Sequence, residues 1–469
     1  MKIATYLFFM LSLAAPLPSS LADTLSDYRQ SLASHPVNYV RMDIRELPGV
    51  KVQRYVLHSQ NWSPQDAVRP IRWEHQVDIY LPGAAKPTVA LVVVNNDAGR
   101  ATSFNEASLA RIALATHTVV VSISNVPNQP LHYQGNSTPL TEDDSVAYSW
   151  KRFLESGDAP LQLPMAASVS QAFRLVKREL SQQKIAKFIV AGASKRGWAA
   201  WLAAISDPDV VAVVPFAVDL LNTRAALDHM YRSYGNNWPV AFYPYYRQQI
   251  DQQIATDNFA RLMRVLDPMA YLRSKAGERL KIKKYVINAS GDDFYTPDNS
   301  RFYYPRLPGE KSLRVVANAS HEAVLSVAEP SLIAFVNRFQ ARKALPAIAE
   351  RRQGANNLVL HFSGQPEKVV VWRANNPLAR DFRYACGVRY ETSPPPAMSG
   401  NTLSLALRPP ETGWQATFVE ATFSDGFVAT SQVYITPDEI YPDAAPSAQG
   451  GACRTLPGRG LTPAAQAAN

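Results

Sequence analysis

Cysteine is nearly missing from this sequence: two in 469 residues, Cys386 and Cys453, both late in the chain. So few thiols exclude a disulfide-dense scaffold. Neither has a cysteine or histidine close by and no His-Glu-x-x-His run occurs, so the common zinc patterns are absent and no metal is expected. A glycine-rich nucleotide fingerprint is also missing, and no cofactor is expected. Lys and Arg outnumber Asp and Glu, 48 to 39, for a formal charge of +9, yet without a basic block or basic-aromatic alternation. That argues against nucleic acid as a partner. An anionic surface or anionic substrate fits the charge, as does a plain basic protein.

Long apolar runs are lacking too. The most continuous one, about Tyr6 to Leu17, is preceded by Lys2 and followed by Ser20-Leu21-Ala22. It falls short of the roughly 20 residues a membrane-spanning helix needs, so no transmembrane segment is expected, and it reads as a secretory signal over residues 1–22. No cysteine near the cleavage point could carry a lipid. The expected location is periplasmic or secreted, where Cys386 and Cys453 would most simply form one disulfide, two separate buried thiols being the other reading.

What is present between Val50 and Asn318 is an alternation of short apolar runs with helix-length segments. Val50–His58 and Arg72–Leu81 alternate apolar and polar residues, as half-buried antiparallel strands do. Val89–Val94, Thr118–Ile123, Phe188–Ala191, Val210–Val214, Tyr285–Ile287 and Leu313–Val316 are mostly continuous, as parallel strands buried on both faces are. Together they predict a doubly wound α/β domain over residues 23–347. Two long connections, about 125–164 and 219–280, leave the carboxyl ends of strands and are candidate lids. The second carries Tyr231, Tyr234, Trp238, Phe242, Tyr243, Tyr245 and Tyr246, which either line a pocket or pack against each other. After a polar stretch at 351–357 that reads as a linker, short alternating segments over 356–437 predict a small immunoglobulin-like β-sandwich. Residues 438–469 read as a flexible tail, except where Cys453 is tied down.

An acyl-transfer serine needs a base, a group to orient that base, and donors for the oxyanion. Gly192-Ala193-Ser194 follows the run Ile189-Val190-Ala191 and precedes the helical segment from Gly197, the strand-turn-helix setting of a nucleophile elbow. Arg196 stands where the second small residue is usual, and glycine comes one later. Lys195 and Arg196 in a first helical turn oppose the macrodipole; either one holds an oxyanion or acidic substrate group, Lys195 first, or both point to water. Of eight histidines, His321 alone directly follows the last parallel strand, while His229, in the second insertion, could touch substrate. Asp293, four residues before Pro297, is the expected acid, with Asp292 and Asp219 as alternatives. Ser194, Asp293, His321 is the chain order of the α/β-hydrolase fold. Lys195 N–H and the loop Asn95-Asn96-Asp97 are the expected oxyanion donors, with Trp238 and Arg196 near substrate.

Gly192-Ala193-Ser194-Lys195-Arg196-Gly197-Trp198, Trp73 with His75, Val126-Pro127-Asn128-Gln129-Pro130-Leu131, Asp267-Pro268 with Tyr271, Ser290-Gly291-Asp292-Asp293-Phe294, Leu307-Pro308-Gly309-Glu310-Lys311 and Arg380-Asp381-Phe382-Arg383 resemble the PhoPQ-activated pathogenicity-related protein family of bacterial α/β-hydrolase-like proteins. The resemblance runs from about Tyr28 to Pro437; the loop at Asn95–Asp97 departs from the glycine pair the family tends toward. It implies a link to an envelope-stress response and virulence, and no settled substrate. The expected activity is a serine hydrolase, esterase or amidase and peptidase, acting on a small-molecule or peptide substrate. The rival is a non-catalytic ligand- or partner-binding protein on the same fold.

Overall fold

The computed structural model describes residues 24–96, 103–354, 356–446 and 450–463; the segment read as a secretory signal lies outside them. The two alternating segments form β2 (Val50–Asn61) and β3 (Arg72–Pro82), joined at the edge by β1 (Asn38–Leu47), all antiparallel. The continuous apolar runs form β4 (Val89–Val94), β5 (Val119–Ile123), β6 (Lys187–Ala193), β7 (Val210–Phe216), β8 (Lys283–Ala289) and β9 (Lys311–Val316). The sheet has nine strands in the order β1-β2-β3-β5-β4-β6-β7-β8-β9. From β5 to β9 every neighbouring pair is parallel. Strands buried on both faces cannot alternate, and β5 is buried at all five positions.

Helices cover both faces. Those used below are α1 (Glu106–Thr116), α2 (Glu142–Ser156), α3 (Gln162–Glu179), α4 (Lys195–Ser206), α5 (Thr223–Ser233), α6 (Asp257–Leu266) and α7 (Ala328–Gln340). Phe173 of α3 and Trp198 and Trp201 of α4 belong to the core on one face, while Leu109 and Ile112 of α1 and Leu332 and Phe335 of α7 belong to the core on the other. After β4 the chain steps outward to β5, then returns to place β6 on the opposite side of β4. The crevice at such a reversal, beyond the strands' carboxyl ends, is where open α/β sheets bind ligands. This is the α/β-hydrolase fold.

The C-terminal segment forms two further sheets. β10 (Ile348–Arg352), β11 (Asn357–Phe362) and β14 (Thr402–Ala406) make one; β13 (Glu391–Ser393), β12 (Lys368–Asn376), β15 (Trp414–Thr422) and β16 (Val428–Thr430) make the other, with β17 (Tyr434–Thr436) also paired to β15. Leu358, Leu360, Leu403 and Leu405 share a buried core with Val371, Val419 and Ala421, so this is the expected β domain. Two expectations change here. The polar stretch read as a linker is in part strand: Arg351 and Arg352 end β10, paired with Val359 and Leu358 of β11, and both side chains are exposed. The tail is held well beyond Cys453: Thr455–Leu456 pairs with Trp238–Pro239, and the Arg459 guanidinium donates to Asp251 at 2.7 and 3.1 Å. Pairing partners supplied by a distant insertion leave no mark on the tail's own composition.

The β domain is joined to the body by buried polar bonds as well as apolar contact. Val315 N–H donates to Thr430 Oγ1 at 2.9 Å, and Tyr285 stacks on Phe427 with ring centroids 4.4 Å apart. Arg380 and Asp298, both fully buried, pair at 2.7 Å. No described helix is long and apolar enough to cross a membrane.

Candidate active site

Ser194 separates β6 from α4 and has φ 54° and ψ −129°, a strained region for a residue with a Cβ. The strain is held from both sides: Ser194 N–H donates to Phe216 O of β7 at 2.8 Å, and Ser194 O accepts from Trp198 N–H at 2.9 Å. The glycines allow α4 to lie against β6. A Cβ on Gly192 would sit 2.6 Å from Arg196 O, and one on Gly197 would sit 2.7 Å from Gly192 O and 2.6 Å from a Val218 methyl. The close contact that the usual elbow makes at the second position after serine is made here at the third, which leaves position 196 free for an arginine.

His321 lies on the loop after β9. Its Nδ1 is 2.9 and 3.0 Å from the two carboxylate oxygens of Asp292. The expectation of Asp293 is therefore corrected: that carboxylate reaches only the His321 backbone N–H, at 3.4 Å. Asp219 is occupied elsewhere, accepting from Tyr303 Oη–H at 2.7 Å. Asp292 is oriented in turn by the N–H groups of Phe294 and Tyr295, at 2.8 and 3.3 Å. Burial alone would lower the pKa of His321, but the Asp292 carboxylate reverses this and holds it above its ordinary value. Burial pushes the Asp293 carboxyl up. The remaining ring nitrogen, Nε2 of His321, is buried and has no hydrogen-bond partner among the described residues.

The cations after Ser194 point neither to water nor to an empty anion site. Lys195 Nζ lies 2.9 Å from Glu142 and 3.0 Å from Asp143. Arg196 donates to Glu142 at 2.8 and 3.0 Å, to Asn96 Oδ1 at 2.8 Å and to Val126 O at 2.7 Å. Glu142, Asp143 and Asp144 form the first turn of α2, where the macrodipole favours anions. Two helix N-termini thus face each other, and the acids at home on one neutralise the cations misplaced on the other. Although burial opposes it, Lys195 and Arg196 hold the Glu142 carboxyl well below the usual carboxylate range. Reading each helix singly missed Glu142 and Asp143; the acidic run Glu142-Asp143-Asp144 was the available signal.

Asn96 is also more engaged than expected. Its backbone N–H donates to Asn95 Oδ1 at 3.0 Å and its Oδ1 receives Arg196, so its backbone N–H is not presented to an oxyanion. Residues 97–99 of that loop lie outside the described residues.

A small cavity touches Ser194 and Lys195 and is walled by the two insertions and α4, among them Asp143, Trp150, Gln162, Trp198, Leu227, Met230, Phe242 and Tyr245. Phe294 and Tyr295 also line it and pack on the His321 ring, with centroid distances of 4.7 and 5.8 Å. Trp238, expected near substrate, is fully buried behind this wall, stacked on Phe242 at 4.6 Å, and does not line the cavity. The aromatic insertion therefore does both things expected of it: Trp238 packs on its neighbours, while Phe242 and Tyr245 face the cavity. His229 is a buried joint rather than a substrate contact, 3.0 Å from Asp298 and 3.0 Å from Tyr441 Oη. Cys386 and Cys453 form the expected disulfide.

Residues 25–383 match the family described as PhoPQ-activated pathogenicity-related protein. Autocrine proliferation repressor protein A of Dictyostelium discoideum is 28% identical over 424 residues, covering 82% of this chain and 84% of that protein. Among solved structures, acetyl xylan esterase 1 from Thermoanaerobacterium sp. JW/SL YS485 superposes with a TM-score of 0.47 at 14% identity, over 68% of this chain and 94% of that one. A glucuronoyl esterase from Solibacter usitatus gives 0.36 at 12% identity, over 64% and 86%. Likenesses at this level carry no argument about activity.

Proposed function

The chain belongs to the PhoPQ-activated pathogenicity-related protein family, and on that footing we propose that it is an exported serine hydrolase that cleaves esters through Ser194, His321 and Asp292. The observation that carries this reading is the His321 imidazole. Asp292 takes up Nδ1 at 2.9 Å, and Nε2, buried and without a hydrogen-bond partner among the described residues, is left to accept a proton, as a general base must. Chain order, with the serine after β6, the acid after β8 and the base after β9, supports it.

In the proposed reaction Ser194 Oγ attacks the ester carbonyl carbon as His321 Nε2 takes the hydroxyl proton. Asp292 stabilises the imidazolium. The bond from the acyl carbon to the alcohol oxygen breaks, and His321 returns the proton to the departing alkoxide. Water, deprotonated by the same nitrogen, then attacks the acyl carbon; the bond to Ser194 Oγ breaks, His321 returns the proton to Oγ, and the acid leaves. The Lys195 N–H, one of the donors at the start of α4 that a helix cannot pair within itself, is assigned to the oxyanion. Arg196 touches no substrate in this reading; it is a positioning residue tying the Asn96 loop, the Val126 loop and α2 behind the elbow. Export is supported by the disulfide.

Labelling with a fluorophosphonate tests the assignment. Wild type should label, and Ser194→Ala and His321→Ala should not. Folded wild type that stays unlabelled would favour the ligand-binding reading instead.

A further inference from the structure

The cavity at Ser194 is small, with about 20 Å³ of room for the centre of a water molecule. Its walls do not offer easy slack. Trp150, Trp198, Leu227, Met230, Phe242 and Tyr245 are all buried. Trp150 packs on Trp198 at 5.7 Å and on Tyr245 at 5.2 Å, and Phe242 stacks on Tyr245 at 5.0 Å between ring centroids. Moving one ring outward breaks contact with the next. The cations of the elbow do not make the chamber basic, because Lys195 is paired with both Glu142 and Asp143.

Resting on the hydrolase reading above, we infer that this chamber receives the acyl group and restricts it to a short, uncharged one, acetyl above all. The acyl group is the part that stays bonded to Ser194 after the alcohol leaves, so it is the part that must fit the enclosed space. An acetyl group is the shortest alkyl-bearing acyl group that can enter so small a space. Each further methylene has to displace packed aromatic carbon, and a methylene in a close-fitting pocket changes selectivity by about 10- to 200-fold. A carboxylate on the acyl chain would meet Asp143 with no cation left to receive it.

The test is kcat/KM for p-nitrophenyl acetate, butyrate, octanoate and hemisuccinate, run beside fluorophosphonate labelling of the full chain. Acetate should be fastest, with butyrate at least about tenfold slower, and octanoate and hemisuccinate slower still. Leu227→Ala and Met230→Ala, which remove wall carbon, should each raise the butyrate-to-acetate ratio while Ser194 still labels. Butyrate, octanoate or hemisuccinate turned over as well as acetate by an enzyme that labels at Ser194 would overturn the acyl restriction and leave the hydrolase reading standing. Folded protein that neither labels nor cleaves any of the esters would overturn the hydrolase reading, and the inference with it. If both wall variants fail to fold, the wild-type series alone decides.

Discussion

His321 Nδ1 faces both oxygens of the Asp292 carboxylate, at 2.9 and 3.0 Å, while the adjacent Asp293 reaches only the backbone of the same histidine. Two neighbouring carboxylates therefore have separable roles. Asp292→Asn should cut kcat by about 10³- to 10⁴-fold, because the imidazole loses its tautomer and its partner in the charged state. Asp293→Asn should stay within about tenfold of wild type. Parallel esterase assays of the two variants, with circular dichroism to show both folded, check this.

The raised pKa of His321 has a kinetic signature. The base works only when neutral, so kcat/KM should rise with pH on a limb whose midpoint lies above the ordinary 6.5. For stability the sign is opposite. A pKa raised by folding contributes stability that is present below the unfolded value and lost as pH rises through the folded one. Asp292→Asn should move the kinetic limb downward, since burial then acts without the opposing carboxylate. A pH profile that does not move would contradict the pairing.

Glu142 serves both elbow cations, and removing its charge leaves Lys195 to Asp143 and Arg196 to Asn96 Oδ1 and Val126 O. Breaking a buried pair on one side costs about 3–5 kcal/mol; Glu142 keeps 26% of its side chain exposed, so Glu142→Gln should lie at or below the low end of that range. Urea denaturation gives the number. A variant as stable as wild type would mean the network is slack.

Gly197 is set against the backbone of Gly192 as well as a Val218 methyl. The Cβ of Gly197→Ala would lie 2.7 Å from Gly192 O, so α4 must move off β6 and carry Ser194 with it. Fluorophosphonate labelling should be lost in a chain that still shows helical circular dichroism. Unchanged labelling would show that the elbow tolerates the shift.

The disulfide closes a separation of 67 residues, worth about 4 kcal/mol on the loop-entropy account. It also anchors the tail that pairs with Trp238–Pro239, the strand behind Phe242. Cys453→Ala, or wild type in dithiothreitol, should lose stability of that order and become open to trypsin at Arg454 and Arg459. Thermal melts and limited proteolysis test the two parts separately.

Most of the sheet was legible because burial on both faces forces continuous apolar strands, a property carried by each segment alone. Ser194 and His321 were legible for a related reason: each directly follows such a strand. The β10 boundary and the hold on the tail were not, since β10 takes its partner from β11 and the tail takes its own from an insertion some two hundred residues earlier.

The local sequence determined the strands, the turn at Ser194 and the position of His321. Tertiary structure alone decided which of two adjacent acids meets that histidine. Gly291 N–H is held by Ala319 O of the histidine loop at 3.0 Å, and Gly291 O accepts from Tyr384 N–H of the C-terminal segment at 3.0 Å. This clamp sets the turn so that Asp292, not Asp293, faces the ring. It likewise decided that Lys195 and Arg196 are neutralised, because the acids that do so stand at the start of another helix. Orientation and charge balance depend on what packs against a residue, and spacing along the chain does not contain that.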